Sequence, residues 1–141
     1  MAAPDLLAMG RAVLEQQAFS RHLGAELSAW TQEACTLELP LRADLLQNNG
    51  FVHGGVISYL ADNALTFARG GALAGPVVTS EYKINYTRPA VGERLIARAV
   101  AVSASKSQAV CRCDVYVVAG GVEKLCALAQ GTIARLQGAP A

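Results

Sequence analysis

Hydrophobic and polar residues follow a helical period in two parts of the chain. Apolar residues recur at helical spacing from about Ala3 to Phe19 and again from His53 to Arg69, where Gly70 and Gly71 favour a helix end. The second segment is apolar on nearly every face, and a helix of that kind has to be buried. We therefore expect one short amphipathic helix and one long central helix.

The rest of the chain alternates with a period of two, which indicates β-strands. Two strands are expected between the helices, at His22–Trp30 and Glu33–Leu41, where Pro40 weakens the second, and a loop rich in Asn and Gly follows at Arg42–Val52. Four more strands are expected after Pro76. They are centred on Tyr82–Tyr86, on Arg94–Ala101, on Gln108–Val118 and on Val122–Leu136, with turns at Pro89–Gly92 and Gly120–Gly121 and a loose tail at Gln137–Ala141.

Five or six antiparallel strands beside one buried helix predict an α+β fold. The sheet should curl around the helix, because no other arrangement removes an all-round apolar helix from water. A chain of 141 residues suits a single domain that spans residues 1–141.

Composition narrows the possible partners. The chain is 52% hydrophobic and 16% charged, so part of its apolar surface should face another subunit or a ligand. The net charge is +1 and the basic residues are scattered, which argues against nucleic acid as a partner. Neither a membrane-spanning stretch nor a signal peptide is apparent, and we expect a cytoplasmic protein with no membrane contact.

The four cysteines are expected to be reduced and structural. Cys111 and Cys113 lie two residues apart in a strand and point the same way, which does not favour a disulfide between them. A zinc site would need imidazoles at finger-like spacing, and the histidines are His22 and His53, so we expect no metal site.

The start of the central helix carries candidate chemistry. His53, Gly54 and Gly55 open the helix, where backbone N–H groups have no partner within the helix and the helix dipole favours negative charge. An oxyanion can therefore bind there. Glycine has a second interpretation at both positions, as a residue that permits a tight entry into the helix.

One carboxylate lies in the middle of the same helix. Asp62 is surrounded by apolar residues, which makes it costly to bury unless it is paired or used. Ser58, Asp62 and Thr66 recur every four residues and form a thin polar stripe. The carboxylate is either a catalytic group or a side chain satisfied by those two hydroxyls.

These residues together resemble a known family. The segment HGGVISYLADNALTFA, with Gln47 six residues before His53, Thr79 in the next strand and the downstream Y-x-R-P-A, resembles the hotdog-fold acyl-CoA thioesterases. The resemblance is to the PaaI-like branch, which includes phenylacetyl-CoA and 4-hydroxybenzoyl-CoA thioesterases. It implies a hotdog fold, a homodimer with a continuous sheet that is often doubled into a homotetramer, and an active site at the dimer interface.

The implied activity is hydrolysis of an acyl-CoA to a free acid and coenzyme A, with no cofactor beyond that substrate. The resemblance makes Asp62 the base or nucleophile and the Gly54 N–H the oxyanion donor. His53 either helps to polarise the carbonyl or caps the helix. The Gln47 amide either places the carbonyl or the water, or only satisfies loop backbone groups.

Further contacts are implied around these residues. Thr79, or Ser80 beside it, is expected to orient the water, although either could be an exposed strand hydroxyl. Gly55, Asn48 and Thr66 are expected to contact the substrate. The expected contacts for the phosphates of coenzyme A are Arg88 and Lys106, although most surface basic residues bind nothing specific.

The spacing of the two key groups adds a physical constraint. His53 and Asp62 are nine residues apart, so their Cα atoms lie roughly 13 Å apart along the helix axis. If both groups act on one thioester, the carboxylate must come from an antiparallel partner chain.

Two other functions stay open. A non-catalytic acyl-CoA-binding hotdog protein is one, although such regulators carry a DNA-binding domain and tend to lack the acid. A hotdog dehydratase or hydratase is the other, and it would need a histidine and an acid at one hydration site.

Overall fold

The computed structural model describes residues 5–70 and 75–136. Within these ranges the chain forms three helices, α1 (Leu6–Gln16), α2 (Ala18–Leu23) and α3 (Gly54–Ala68), with a short 3-10 turn at Ala43–Leu45. The strands are β1 (Glu26–Trp30), β2 (Ala34–Pro40), β3 (Val77–Tyr86), β4 (Arg94–Ala104), β5 (Gln108–Ala119) and β6 (Val122–Arg135). The predictions for Gly71 and for the tail after Leu136 lie outside the described residues.

The six strands form one antiparallel sheet in the order β1-β2-β4-β5-β6-β3, so β1 and β3 are its edges. Helix α3 lies across the inner face and contacts β2 to β6. The fold-class prediction, a curled antiparallel sheet around one long helix, is therefore confirmed.

Small side chains on the sheet let α3 approach closely. The helix buries its apolar residues, and Leu60, Ala61, Ala64 and Leu65 are fully inaccessible. Eight of the buried sheet positions carry alanine or cysteine instead of large side chains, at 97, 99, 109, 111, 113, 126, 127 and 129. Alanine has a low strand propensity, but here its small side chain leaves room for the apolar helix. This packing explains the alternating alanines of β4 and β6.

The N-terminal part of the chain corrects two predictions. The helix expected from Ala3 to Phe19 is interrupted at Gln17, which is extended, and a second helix continues to Leu23. The strand expected from His22 therefore begins only at Glu26. Arg42 stabilises this helix end, because its guanidinium donates to the carbonyls of Leu23 and His22 at 2.8 and 2.9 Å. A contact between residues so far apart in sequence leaves no trace in local periodicity.

The other elements match their predictions closely. Helix α3 begins one residue after His53, which is its N-cap, and ends before Gly70, whose φ of 78° forms the predicted helix end. Gly120 and Gly121, with φ of 57° and 77°, make the predicted turn between β5 and β6. Within residues 5–70 and 75–136, no helix has the length and apolarity needed to cross a bilayer.

All four cysteines are free and buried in the core, as predicted. Burial raises the pKa of the Cys35 thiol to about 12 and that of the Cys111 thiol to about 11. The Cys35 Sγ donates to the Ala64 carbonyl of α3 at 3.1 Å. These thiols are therefore packing groups beneath the helix and not nucleophiles at neutral pH.

Candidate active site

The first turn of α3 leaves one backbone donor available. The His53 Nδ1 accepts from the Gly55 N–H at 2.8 Å, and the His53 carbonyl accepts from Val56 and Ile57 at 3.0 and 3.3 Å. The Gly54 N–H has no acceptor in the part of the chain that the structure describes. The helix dipole adds positive potential at this donor, so an oxyanion is the ligand it suits.

His53 therefore caps the helix, which was one of its two interpretations. Because Nδ1 accepts a hydrogen bond, the proton of the neutral imidazole lies on Nε2. The ring is exposed and keeps that Nε2 N–H as a donor.

A cavity of about 390 Å³ lies beside Gly54. Gln47, Tyr86 and Arg88 line it together with Gly54, and we call it the amide cavity. The Tyr86 hydroxyl donates to the Gly54 carbonyl at 3.1 Å. The structure thus brings three predicted site residues together around one cavity at the end of β3. They are Gln47, Gly54 and Arg88.

The Gln47 side chain also serves its own loop. Its amide oxygen accepts from the Asn49 N–H, and its main-chain N–H donates to the Phe51 carbonyl at 2.8 Å. Gln47 is half-buried and also lines the amide cavity, so its contact with the loop does not remove it from the candidate site. Asn48 is exposed in the same turn and lines neither this cavity nor the larger one described next.

Asp62 lies in a second and larger cavity of about 730 Å³, which we call the acid cavity. The Thr79 Oγ1 donates to the Asp62 Oδ1 at 2.6 Å, so the start of β3 holds the carboxylate in place. The other stripe hydroxyls turn elsewhere, because Ser58 bonds the Tyr82 hydroxyl and Thr66 donates to the Asn63 carbonyl at 2.6 Å. The alternative in which Ser58 and Thr66 satisfy the carboxylate is therefore wrong.

Thr79 and Ser80 differ in orientation. The half-buried Thr79 faces Asp62, while Ser80 is exposed beside a register shift between β3 and β6. Thr66 lines the acid cavity together with Asp62.

The N-terminal helices contribute to the acid cavity in a way the sequence did not reveal. Gln17 accepts from Ser20 at 2.6 Å and from Asn63 at 2.9 Å, and Tyr59 donates to Ser20 at 2.5 Å. Burial raises the pKa of the Tyr59 phenol, and its hydrogen bonds to Ser20 and Asn63 partly offset that effect. The remaining lining is mostly apolar, including Val13, Phe19, Trp30, Phe67, Val77 and Val78.

The two cavities share no lining residue within one chain. The acid cavity lies at the start of β3, with Thr79, and the amide cavity lies at the end of β3, with Tyr86. The structure therefore groups Asp62 with Thr79 and groups Gly54 with Gln47 and Arg88, but it does not bring the two groups together.

The two basic candidates lie at opposite ends of the chain's own sheet. Arg88 is exposed on the amide cavity. Lys106 is exposed in the β4–β5 turn, where its carbonyl accepts from Arg69 at 3.3 Å. That turn lies at the same end of the sheet as the acid cavity. Gln108, just after the turn, pairs with Ala134, and Ala134 pairs on its other side with Val78, which lines that cavity.

The sheet, the central helix and the free amide at its glycine-rich start define a protein of the hotdog class. The chain belongs to the thioesterase superfamily, whose family model matches residues 49–124. Thioester hydrolysis is therefore its class of activity at the family level, and the predicted resemblance is confirmed.

Solved structures agree with this assignment. A thioesterase family protein from Silicibacter pomeroyi is 28% identical over 88% of this chain and 93% of its own, with a TM-score of 0.84. A variant of the phenylacetic acid degradation protein PaaI from Thermus thermophilus is 36% identical over 84% and 98%, with a TM-score of 0.72. The PaaI protein of the E. coli phenylacetic acid degradation operon shares the fold at 23% identity over 94% of each chain, with a TM-score of 0.82. Comparison with curated proteins gave no significant sequence match.

Proposed function

We propose that this protein is an acyl-CoA thioesterase whose active site forms between two subunits. In this proposal the Asp62 carboxylate of one subunit attacks or activates water, and the Gly54 N–H of the other subunit holds the thioester oxygen. The observation that carries the proposal is the separation of these two groups into different cavities of one chain. Each cavity on its own holds half of the groups that thioester hydrolysis needs.

The edge strand β3 supports a specific dimer. Its ladder partner is β6 on one side, and no strand among the described residues pairs with its other side, which can therefore accept a second copy. An antiparallel pairing centred near Tyr82 would set Thr79 of one chain opposite Asn85 of the other. The acid cavity at one end of β3 would then lie beside the amide cavity of the partner.

The chemistry follows from that arrangement. The Gly54 N–H stabilises the negative charge that develops on the carbonyl oxygen, and Asp62 either takes a proton from the attacking water or bonds to the carbonyl carbon itself. The carbon–sulfur bond then breaks, and coenzyme A leaves as the thiolate. Where Asp62 has bonded to the carbon, a water then hydrolyses the resulting anhydride, which releases the free acid and restores the carboxylate. Thr79 fixes the carboxylate through its 2.6 Å hydrogen bond.

The acyl group would occupy the acid cavity. Its volume of about 730 Å³ falls within the range of about 300 to 1,000 Å³ usual for ligand pockets, and its lining is mainly apolar. In the same proposed dimer Lys106 of the Asp62 subunit and Arg88 of the Gly54 subunit would lie at one side of the site. Both would then face the phosphates of coenzyme A.

Two other functions fit less well. A dehydratase needs an imidazole that acts as a base beside an acid at one hydration site, and here the Nδ1 lone pair of His53 is used in the helix cap, which leaves Nε2 as a donor only. A non-catalytic acyl-CoA-binding protein has no use for a carboxylate held by a hydroxyl and open to a large cavity.

The test is release of free thiol from a panel of aromatic and aliphatic acyl-CoAs. We expect turnover with at least one of them, and release from none would overturn the proposal. Asp62→Asn keeps the size of the side chain and should abolish turnover while acyl-CoA binding, measured by calorimetry, is retained. Turnover at the wild-type rate in that variant would show that Asp62 is only structural.

A further inference from the structure

The segment Tyr86–Ala90, with the sequence Y-T-R-P-A, forms hydrogen bonds with the chain at the start of α3. At one end the Ala90 carbonyl accepts from the Val52 N–H at 2.9 Å. At the other end the Tyr86 hydroxyl donates to the Gly54 carbonyl at 3.1 Å. Residues 52–54, at the entry to the helix, are thus fixed at both ends by hydrogen bonds to this one short segment.

The Tyr86 ring also lies directly against Gly54. A Cβ built on Gly54 would be 3.4 Å from both the Cζ and the hydroxyl oxygen of Tyr86. The phenol is 51% exposed and forms part of the wall of the amide cavity. Tyr86 therefore lies beside the residue that carries the free N–H, on the wall of the same cavity.

A glycine needs such a support if its N–H is to point in a fixed direction. Without a Cβ, the backbone at Gly54 has more rotational freedom than any other residue would have there. The direction of an oxyanion donor matters, because a misplacement of about 1 Å can cost about 100-fold in rate. A hydrogen bond to the Gly54 carbonyl restricts the rotation of the same residue that carries the donor.

We propose that Tyr86 is a positioning residue that aims the Gly54 N–H at the thioester oxygen. The inference rests on the proposed function, because it assigns Gly54 the role of oxyanion donor. Tyr86 acts through Gly54 and takes no part in proton transfer.

The chain offers a matched control for a purely structural effect. Tyr82 lies on the same strand, and its hydroxyl bonds Ser58 of the same helix, one turn further from the helix start. Tyr82 lines neither cavity. Tyr86→Phe and Tyr82→Phe thus each remove one phenol–helix hydrogen bond and keep the ring.

The experiment compares steady-state kinetics and thermal unfolding of these two variants with an acyl-CoA that the wild type hydrolyses. Tyr86→Phe should lower kcat by about tenfold and leave KM within about twofold, because the lost interaction acts in the transition state. Tyr82→Phe should leave kcat within about twofold. An unchanged kcat in Tyr86→Phe, or an equal loss in both variants, would overturn the inference.

Inhibitor binding gives a readout that does not need turnover. A coenzyme A trifluoromethyl ketone, which forms a tetrahedral adduct, should bind Tyr86→Phe about tenfold more weakly, while an alkyl coenzyme A thioether that lacks the carbonyl should bind equally well. Equal binding of both compounds to wild type and Tyr86→Phe contradicts the inference. If the wild type hydrolyses no acyl-CoA, the proposed function fails on its own, and these binding constants still decide the role of Tyr86.

Discussion

Removal of a single backbone hydrogen tests the role of the helix start. Gly54 is the first residue of α3, a position that accepts proline, and the preceding His53 has φ of −59° and ψ of 132°, which suits a residue before proline. Gly54→Pro therefore deletes the N–H without opposing the local backbone. Gly54→Ala is the matched control, because it keeps the N–H and places its Cβ in ordinary contact, 3.4 Å from Tyr86.

The expected magnitude follows from the loss of one oxyanion donor. Such a loss typically lowers kcat by about 100- to 1,000-fold, or about 2.7 to 4 kcal/mol of transition-state stabilisation. We expect Gly54→Pro to show this loss in a thiol-release assay with little change in melting temperature, and Gly54→Ala to keep most of the activity. Equal activity in the two variants would refute the assignment of the Gly54 N–H as the donor.

Three further predictions concern the carboxylate, the thiols and the packing of α1. Thr79→Val should lower kcat by about tenfold or more in the thiol-release assay, because it removes the 2.6 Å hydrogen bond to Asp62. Hydrogen bonds to charged groups are worth about 1.5–3 kcal/mol. An unchanged kcat would contradict this prediction. Burial raises the pKa of Cys35 from 9.0 to about 12, so the folded state holds that proton more tightly, and the free energy of unfolding by urea should fall as pH rises above about 9. Cys35→Ala should make that fall shallower, and an identical slope would count against it. Gly10→Ala should lower the free energy of unfolding by about 1–3 kcal/mol, because the new Cβ would lie 2.5 Å from Leu27 and Trp30. This loss is expected despite the higher helix propensity of alanine. Equal or greater stability in urea would refute the prediction.

Local patterns were sufficient for most of the fold. The all-round apolar character of residues 53–69 predicted the central helix to within a residue at each end, and the alternation after Pro76 predicted strands β3 to β6. Turn chemistry at Gly120 and Gly121 located the hairpin correctly. These signals work because helix burial and strand alternation depend on residues that are close in sequence.

The interruption at Gln17 was not predictable in the same way. Gln17 suits a helix by propensity, and what holds it extended is tertiary, since its side chain accepts hydrogen bonds from Ser20 and from Asn63 of α3. The same contacts place the N-terminal helices on the acid cavity. Periodicity alone gives no information about a contact over 46 residues.

The candidate site was predictable in part. The motif identified Asp62 and Gly54, and their spacing along one helix indicated that they could not meet within a chain. The hydroxyl that reaches the carboxylate was not predicted, because the polar stripe on the helix offered only Ser58 and Thr66 as an alternative, whereas the hydrogen bond comes from Thr79 on β3. Which strand faces which side of a helix depends on the sheet order, and local sequence does not encode it.

Mixed dimers test the shared active site most directly. Asp62→Asn and Gly54→Pro homodimers should each be inactive, and equal amounts refolded together should regain about a quarter of the wild-type rate, because about half of the dimers are mixed and each of these has one intact site of two. If instead the Gly54 and Asp62 of the same chain act together, every chain in the mixture is defective, and the mixture will stay as inactive as its components.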